Sequence, residues 1–363
     1  MNTATATLDA PAPAPAATAP TARIPVGGQR PYDVVLGTGL LGGAGRLLGP
    51  GPLRVAVVYG RAVRTAARRV AAGLVDEGRI VVSLEVPDGE PAKDPAVLLN
   101  LWRAFADAEL SGGDAVVAVG GGATTDLAGF AAAGWQGGVR LVLVPTTLLG
   151  MAVAADARPA AVNLPPGKNL LAAHHPPAGV LCDLDLLDTL PPAGHAAGLA
   201  AILRTAFVAD PPLLDAAASR TDTRLLLDRA LRAAARLTAG PADRRAHLDY
   251  GLTFGHALER ATGHRVPHGH ALAVGMVYAA ELARLAGRLT GAEADRHREL
   301  LAAAGLPTAC DAGWLPLRTA MNLDAHTRGT RPRLVVLDAI GCPALLTGPP
   351  EDLLTAAWRK VHR

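Results

Sequence analysis

Aromatic residues are scarce: phenylalanine, tryptophan and tyrosine together make up 3% of the 363 residues. So few rings cannot build a platform for stacking bases, and nucleic-acid binding is not expected. Cysteine is scarce too. Cys182, Cys310 and Cys342 are odd in number and far apart, with no C-x-x-C pair. That excludes a disulfide framework or a thiolate zinc site and points to a reducing, cytoplasmic setting. No apolar run reaches the length of a membrane span. Lysine is nearly absent: only Lys93, Lys168 and Lys360 occur among 35 basic residues. A lysine kept against such a drift toward arginine marks a position worth testing for a ligand.

What is present suits a folded chain. Half the residues are hydrophobic, enough for a sizeable core, and the formal net charge is only +3 and scattered. Residues 1–23 are an Ala/Pro/Thr tract that cannot bury a core, and a disordered tail is expected over residues 1–30. The tract lacks a basic start followed by an apolar segment, so it does not read as a secretory signal.

From about residue 31 the chain alternates between β-branched apolar runs and Ala/Leu-rich stretches. Arg54–Tyr59, Ile80–Leu84, Asp114–Val119 and Arg140–Val144 read as buried strands, and the stretches between them as helices. Such alternation implies a mostly parallel, Rossmann-like sheet covered on both faces. From about residue 190 the pattern is helical, with one short strand candidate at Arg333–Leu337. The expected organisation is an α/β domain over 31–185 and an all-α domain over 186–363, with the active-site cleft between them.

The strand Asp114–Val119 runs into Gly120, Gly121 and Gly122 and then toward Asp126. A glycine cluster between strand and helix lets backbone N–H groups approach a pyrophosphate, and the helix N-terminus adds partial positive charge. The spacing is not G-x-G-x-x-G, so the ordinary dinucleotide fingerprint does not apply. A tight strand–helix turn without a ligand is the alternative.

The stretch GGGATTDLAGFAAAG from Gly120 is followed by Pro145-Thr146-Thr147-Leu148-Leu149. Before it come Gly37-Thr38-Gly39-Leu40-Leu41 and the Pro87–Lys93 segment PDGEPAK. After it come Gly167-Lys168-Asn169, LCDLDLLDTLPP from Leu181, GLTFGHALE from Gly251 and HGHALAVGM from His268. Together, and in this order over about residues 31–345, these segments resemble the 3-dehydroquinate synthase family, the NAD-dependent sugar phosphate cyclases. The resemblance implies that Glu90, Lys93, Gly120, Gly121, Gly122, Asp126, Thr146 and Thr147 hold NAD. It also implies a homodimer and a small-molecule substrate, with no membrane or nucleic acid among the partners.

The family's reaction oxidises a sugar-phosphate alcohol transiently with NAD, eliminates phosphate, reduces the ketone back and closes a carbocycle. It uses zinc held by one glutamate and two histidines, a set with an open position as catalytic zinc requires. Here Ala201 stands at the glutamate position and Leu252 at the first histidine position. Only His268 remains, as a remnant ligand, and zinc is not expected. His256, His264 and His270 lie close to His268, with His247 nearby. A rebuilt histidine site is one reading of that cluster, and a plain loop cluster is the blander one.

The implied phosphate pocket is altered as well. Pro159 stands at a lysine position, Val153 at an aspartate position and Gly137 at an arginine position. Asp249 replaces an asparagine and would repel phosphate. Each lost charge-assisted contact costs about 1.5–3 kcal/mol. Asp156 lies three places from the lost aspartate and is a candidate replacement. The residues implied to act on substrate that do remain are Lys168, Asn169, Arg204 in place of a lysine, Arg245 for a carboxylate, and His256. The losses gather at zinc and phosphate while the NAD side is spared. The first expectation is therefore an NAD-binding enzyme repurposed in specialised metabolism, its substrate carboxylate-bearing, with the phosphate-eliminating cyclisation lost. The alternatives are a non-catalytic binding or partner subunit, and an active 3-dehydroquinate synthase or related cyclase.

Overall fold

The computed structural model describes residues 21–28, 30–164, 167–219, 221–322 and 332–363. Most of the expected Ala/Pro tail, residues 1–20, lies outside them. Seven strands form the main sheet: β1 (Ala22–Val26), β2 (Tyr32–Gly37), β3 (Arg54–Gly60), β4 (Ile80–Val86), β5 (Ala115–Gly120), β6 (Arg140–Pro145) and β9 (Gly179–Asp183). Between β6 and β9 lies the antiparallel hairpin β7 (Ala160–Leu164) and β8 (Gly167–Ala173). The sheet order is β1-β2-β9-β6-β5-β3-β4, parallel except where β1 meets β2.

β5 is buried along its whole length, because helices cover both faces of the sheet. Its register places Val117 between Val57 of β3 and Val142 of β6. The chain leaves β3 for β4 on one side and then crosses back to β5 on the other. That reversal opens a crevice at the carboxyl ends of β3 and β5, where open α/β sheets bind ligands. The glycine cluster sits at that point.

The early G-T-G-L-L turn has a structural explanation. The buried Asp183 carboxylate at the end of β9 accepts hydrogen bonds from the backbone N–H groups of Gly39, Leu40 and Leu41 at 3.1, 2.7 and 3.2 Å. Gly39 takes a φ of +67°, which glycine adopts without a Cβ clash. Two segments remote in sequence are thereby locked together.

The second half is mainly helical, with long helices at Pro192–Ala209, Thr223–Thr238, Leu252–Ala261, His268–Leu285, Gly291–Ala303 and Glu351–Val361. Two features depart from the expectations. The tail does not run to residue 30: alternate residues Ile24 and Val26 are buried, so β1 adds to the sheet edge through them. The helical half carries one hairpin, β10 (Arg333–Ala339) with β11 (Cys342–Thr347), and β10 includes the short strand candidate. Ile24, Leu36, Leu203, Phe207, Leu231 and Tyr278 belong to one continuous core that joins the sheet edge to the helices. Two segments cross closely at glycine: a Cβ on Gly275 would stand 2.0 Å from the Gly251 carbonyl oxygen. That approach sets the Leu252–Ala261 and His268–Leu285 helices tightly against each other. The three cysteines are free thiols, and among the described residues no helix is long and apolar enough to cross a membrane.

Candidate active site

β5 ends at Gly120, and the helix Gly122–Gly134 starts without a side-chain cap. Its first backbone N–H groups therefore point into the crevice with no intrahelical partner. A Cβ on Gly122 would meet no atom within 4 Å, so the space in front of this turn is open. Thr146 is buried, and its N–H donates to the Gly120 carbonyl at 3.0 Å. The Thr147 hydroxyl caps the next short helix by accepting from Gly150 N–H at 3.1 Å. The two threonines thus brace the glycine turn from behind.

One turn into that helix, Asp126 meets Lys93, which the 3-10 turn Glu90–Lys93 carries across from β4. Lys93 is 2% exposed, and its Nζ lies 2.6 Å from Asp126 Oδ2. Lys93 also donates to the Asn169 side-chain oxygen. Asn169 has a φ of +57°, a left-handed conformation that asparagine tolerates better than most residues. Its N–H donates to Asn163 Oδ1 at 2.9 Å, and Asn163 in turn donates to Glu90 Oε1 at 2.7 Å.

Lys168 extends the network into the helical half. Its Nζ is 2.8 Å from Glu259 Oε1 and 3.4 Å from Glu90 Oε2. The other oxygen of Glu259 accepts from His268 Nδ1 at 3.1 Å. Burial disfavours each of these charges, and mutual pairing outweighs it. Burial would raise the Glu259 carboxyl, but the His268 bond and the Lys168 ammonium hold it well below the usual carboxylate range. Burial likewise works against Glu90, and Lys168, Lys93 and Asn163 hold it below its ordinary value. Lys168 is disfavoured by burial and held above its ordinary value by Glu259 and Glu90. His268 goes the other way: desolvation lowers it, and Glu259 offsets this only in part.

Ala201 is fully buried and Leu252 is 2% exposed. Both are hydrocarbon in a packed core, so the donor set the resemblance assigns to zinc does not fit a metal here. His268, read as a lone remnant, nevertheless has company. His256, Glu259 and His268 each offer one donor atom, all within 4.8 Å of one another. Among the described residues no other group of three such donors occurs, so His247, His264 and His270 stay outside it.

A second network lies where the phosphate pocket was expected. Arg204 is 1% exposed and donates to the fully buried Asp156 at 2.7 Å. Arg158 approaches the same aspartate at 3.5 Å and is ion-paired with Asp249. The repulsion expected from Asp249 is therefore offset by a cation on the neighbouring turn. Arg245 stands apart from both networks, half-buried near His174. Burial lowers the His174 imidazole, and the charges of Arg245 and Arg30 lower it further.

Glu259, Asn163 and Arg158 had not been assigned roles from the sequence. Glu259 carried a usable signal, three residues after His256 on one helix face. Arg158 stands beside Pro159, where a cation had been missed. Asn163 gave no signal, because only the β7–β8 hairpin brings it to Glu90.

The comparisons agree with this architecture. The profile for "3-dehydroquinate synthase N-terminal" matches residues 83–197, and that for "3-dehydroquinate synthase C-terminal" matches residues 198–327. A protein of Thermobifida fusca named 3-dehydroquinate synthase is 47% identical over 93% of this chain and 96% of its own length. Another of that name from Streptomyces avermitilis is 42% identical over 93% and 98%. Among solved structures, a 2-epi-5-epi-valiolone synthase from Streptomyces hygroscopicus with NAD+ and Zn2+ bound superposes with a TM-score of 0.80. It is 26% identical and covers 91% of this chain and 96% of that one. A 2-deoxy-scyllo-inosose synthase complexed with carbaglucose-6-phosphate, NAD+ and Co2+ gives a TM-score of 0.82 at 23% identity, covering 94% and 99%. The chain belongs to the 3-dehydroquinate synthase family.

Proposed function

We propose that this chain is a catalytically active, NAD-dependent member of its family, and that the phosphate-eliminating cyclisation of a sugar acid is the reaction it performs. The observation that carries this reading is the unbroken polar chain from the glycine helix to the helical half: Asp126, Lys93, Asn169 on one side and Lys168, Glu259, His268 on the other. An idle scaffold has no reason to tie up two of its three lysines in such a chain, one buried and one largely so, since buried ion pairs seldom stabilise more than a well-packed apolar cluster. Full-length relatives named 3-dehydroquinate synthase support an active enzyme over a non-catalytic subunit, and weaken the expectation that the cyclisation is lost.

In this reading the turn Gly120–Gly122 takes the pyrophosphate of NAD, with Glu90, Lys93, Asp126, Thr146 and Thr147 shaping the pocket. NAD supplies a hydride acceptor when bound. Lys168 and Asn169 orient the substrate hydroxyls, with His256 beside them at the reacting centre. Arg245 takes the carboxylate. Arg158, one residue from Pro159 and with 36% of its side chain exposed, supplies the phosphate cation once a phosphate competes with Asp249. Family habit adds a homodimer and the three free cysteines fit a cytoplasmic enzyme; gel filtration and fractionation test these.

A second reading has its own observation. Arg158 is already paired, Arg204 is turned onto Asp156, and positions 137, 153 and 159 carry no charge. A substrate without that phosphate, handled by the same NAD chemistry in specialised metabolism, fits this pocket. The experiment is to incubate the protein with NAD and the family's heptulosonate phosphate and follow inorganic phosphate and the cyclic product. NAD-dependent release of both supports the first reading. NAD binding without phosphate release supports the second, and neither binding nor release overturns both.

A further inference from the structure

We propose that His256, Glu259 and His268 form a site for one divalent transition cation, a donor set distinct from positions 201 and 252. His256 and Glu259 are three residues apart in the Leu252–Ala261 helix and so share a face, an i, i+3 spacing that serves metal carboxylate–histidine sites in helical proteins. His268 opens the next helix, and the close crossing at Gly251 and Gly275 holds the two helices in fixed register.

The distances suit a metal. Two ligand atoms on one tetrahedral cation with bonds near 2.1 Å lie roughly 3.4 Å apart. His268 Nδ1 and Glu259 Oε2 are 3.1 Å apart, and all three donors fall within 4.8 Å. Small rotations of the side chains close the set, with the cation taking the place of the proton between His268 and Glu259. Two imidazoles and one carboxylate leave a position open, as in a catalytic rather than a structural centre.

The surroundings suit it as well. Lys168 holds the Glu259 oxygen that does not face His268, which fixes the carboxylate's orientation as outer partners do in metal sites. Counting Glu90, Asp126 and Glu259 against Lys93 and Lys168, the carboxylates and ammonium groups of the network leave one surplus negative charge. A dication settles into that field, whereas an additional anion does not. Nitrogen and oxygen donors in a small set select Zn2+ or Co2+ over Mg2+ or Ca2+.

The site's catalytic role rests on the proposed function; its existence does not. The test is direct: strip the full-length protein with a chelator, then titrate it with Co2+ and separately equilibrate it with Zn2+ and measure metal content. The expected result is about one metal per chain, with visible cobalt bands of a low-coordinate centre. His256→Gln, Glu259→Gln and His268→Asn should each weaken uptake by at least roughly tenfold. NAD binding and the unfolding transition are followed in the same samples. If Glu259→Gln unfolds the chain, His256→Gln, at a partly exposed position, still decides the matter. Wild-type uptake below about a tenth of an equivalent, or uptake unchanged in His256→Gln, overturns the proposal. Metal uptake without turnover leaves the site standing and counts against the cyclase reading, and turnover in metal-free protein supports the cyclase reading while removing the site's catalytic role.

Discussion

Arg158 Nη2 rests 2.5 Å from Asp249 Oδ1, and the family resemblance assigns position 249 and the neighbour of Arg158, position 159, to a phosphate pocket. The aspartate competes with any anionic ligand for that guanidinium. Asp249→Asn frees Arg158 for a phosphate or sulfate, a charge-assisted contact of about 1.5–3 kcal/mol. We expect Asp249→Asn to tighten binding of the heptulosonate phosphate by about tenfold or more, measured by calorimetry. Unchanged or weaker binding would show that Arg158 does not serve the phosphate.

Arg204 and Asp156 are both closed off from solvent, and Asp156 Oδ1 and Arg204 Nε have no hydrogen-bond partner. Removing Arg204 leaves the buried Asp156 with only the longer 3.5 Å contact to Arg158. Arg204→Leu should cost about 3–5 kcal/mol in urea unfolding. Arg204→Leu combined with Asp156→Leu should recover most of it, because replacing a whole buried pair by hydrocarbon is far cheaper than halving it. Equal losses in the single and double variants would mean that the pair is not coupled.

Gly122 opens the glycine helix and faces empty space, so an added methyl meets nothing in the folded protein. Gly122→Ala should leave stability unchanged or raise it by up to about 1 kcal/mol, since alanine favours a helix over glycine. It should also weaken NAD binding by at least roughly tenfold if the pyrophosphate packs against this turn. Loss of stability together with NAD binding would indicate a folding role instead.

His297 gives the fold a pH dependence of known sign. It is fully buried, stacked on Phe207 at 3.7 Å, and burial lowers it to about 4. Nδ1 donates to the Glu293 carbonyl at 2.7 Å and Nε2 accepts from the Tyr250 hydroxyl at 3.0 Å, which fixes the neutral tautomer. A histidine with a lowered folded value lends stability above its unfolded value, about 6.5, and loses it as the pH falls. Stability should therefore drop between about pH 6.5 and 4, by up to about 3 kcal/mol. His297→Phe should flatten that slope in pH-dependent denaturant curves.

Much of this was legible in the sequence because it depends on local pattern. The β-branched runs at 54–59, 114–119 and 140–144 make the sheet, and the glycine cluster sits at its switch point. β1 was hidden within the tail expected over residues 1–30, because this short strand at the end of an Ala/Pro/Thr tract is held by pairing with β2. Side-chain partners reached through long-range folding were hidden too. Nothing near Asp156 announces Arg204, and nothing near Asn163 announces Glu90. Position-by-position reading found the donors lost at Ala201 and Leu252 but overlooked Glu259, whose carboxylate gains its neighbours only when two helices and a hairpin meet.

The reaction proposed for this site depends on the nucleotide. Calorimetric titration of the purified chain with NAD tests it most directly. Binding of about one NAD per chain below millimolar concentration, weakened in Lys93→Met, is the predicted result. Absence of binding at millimolar NAD in a folded protein would contradict the account and leave the non-catalytic reading in its place.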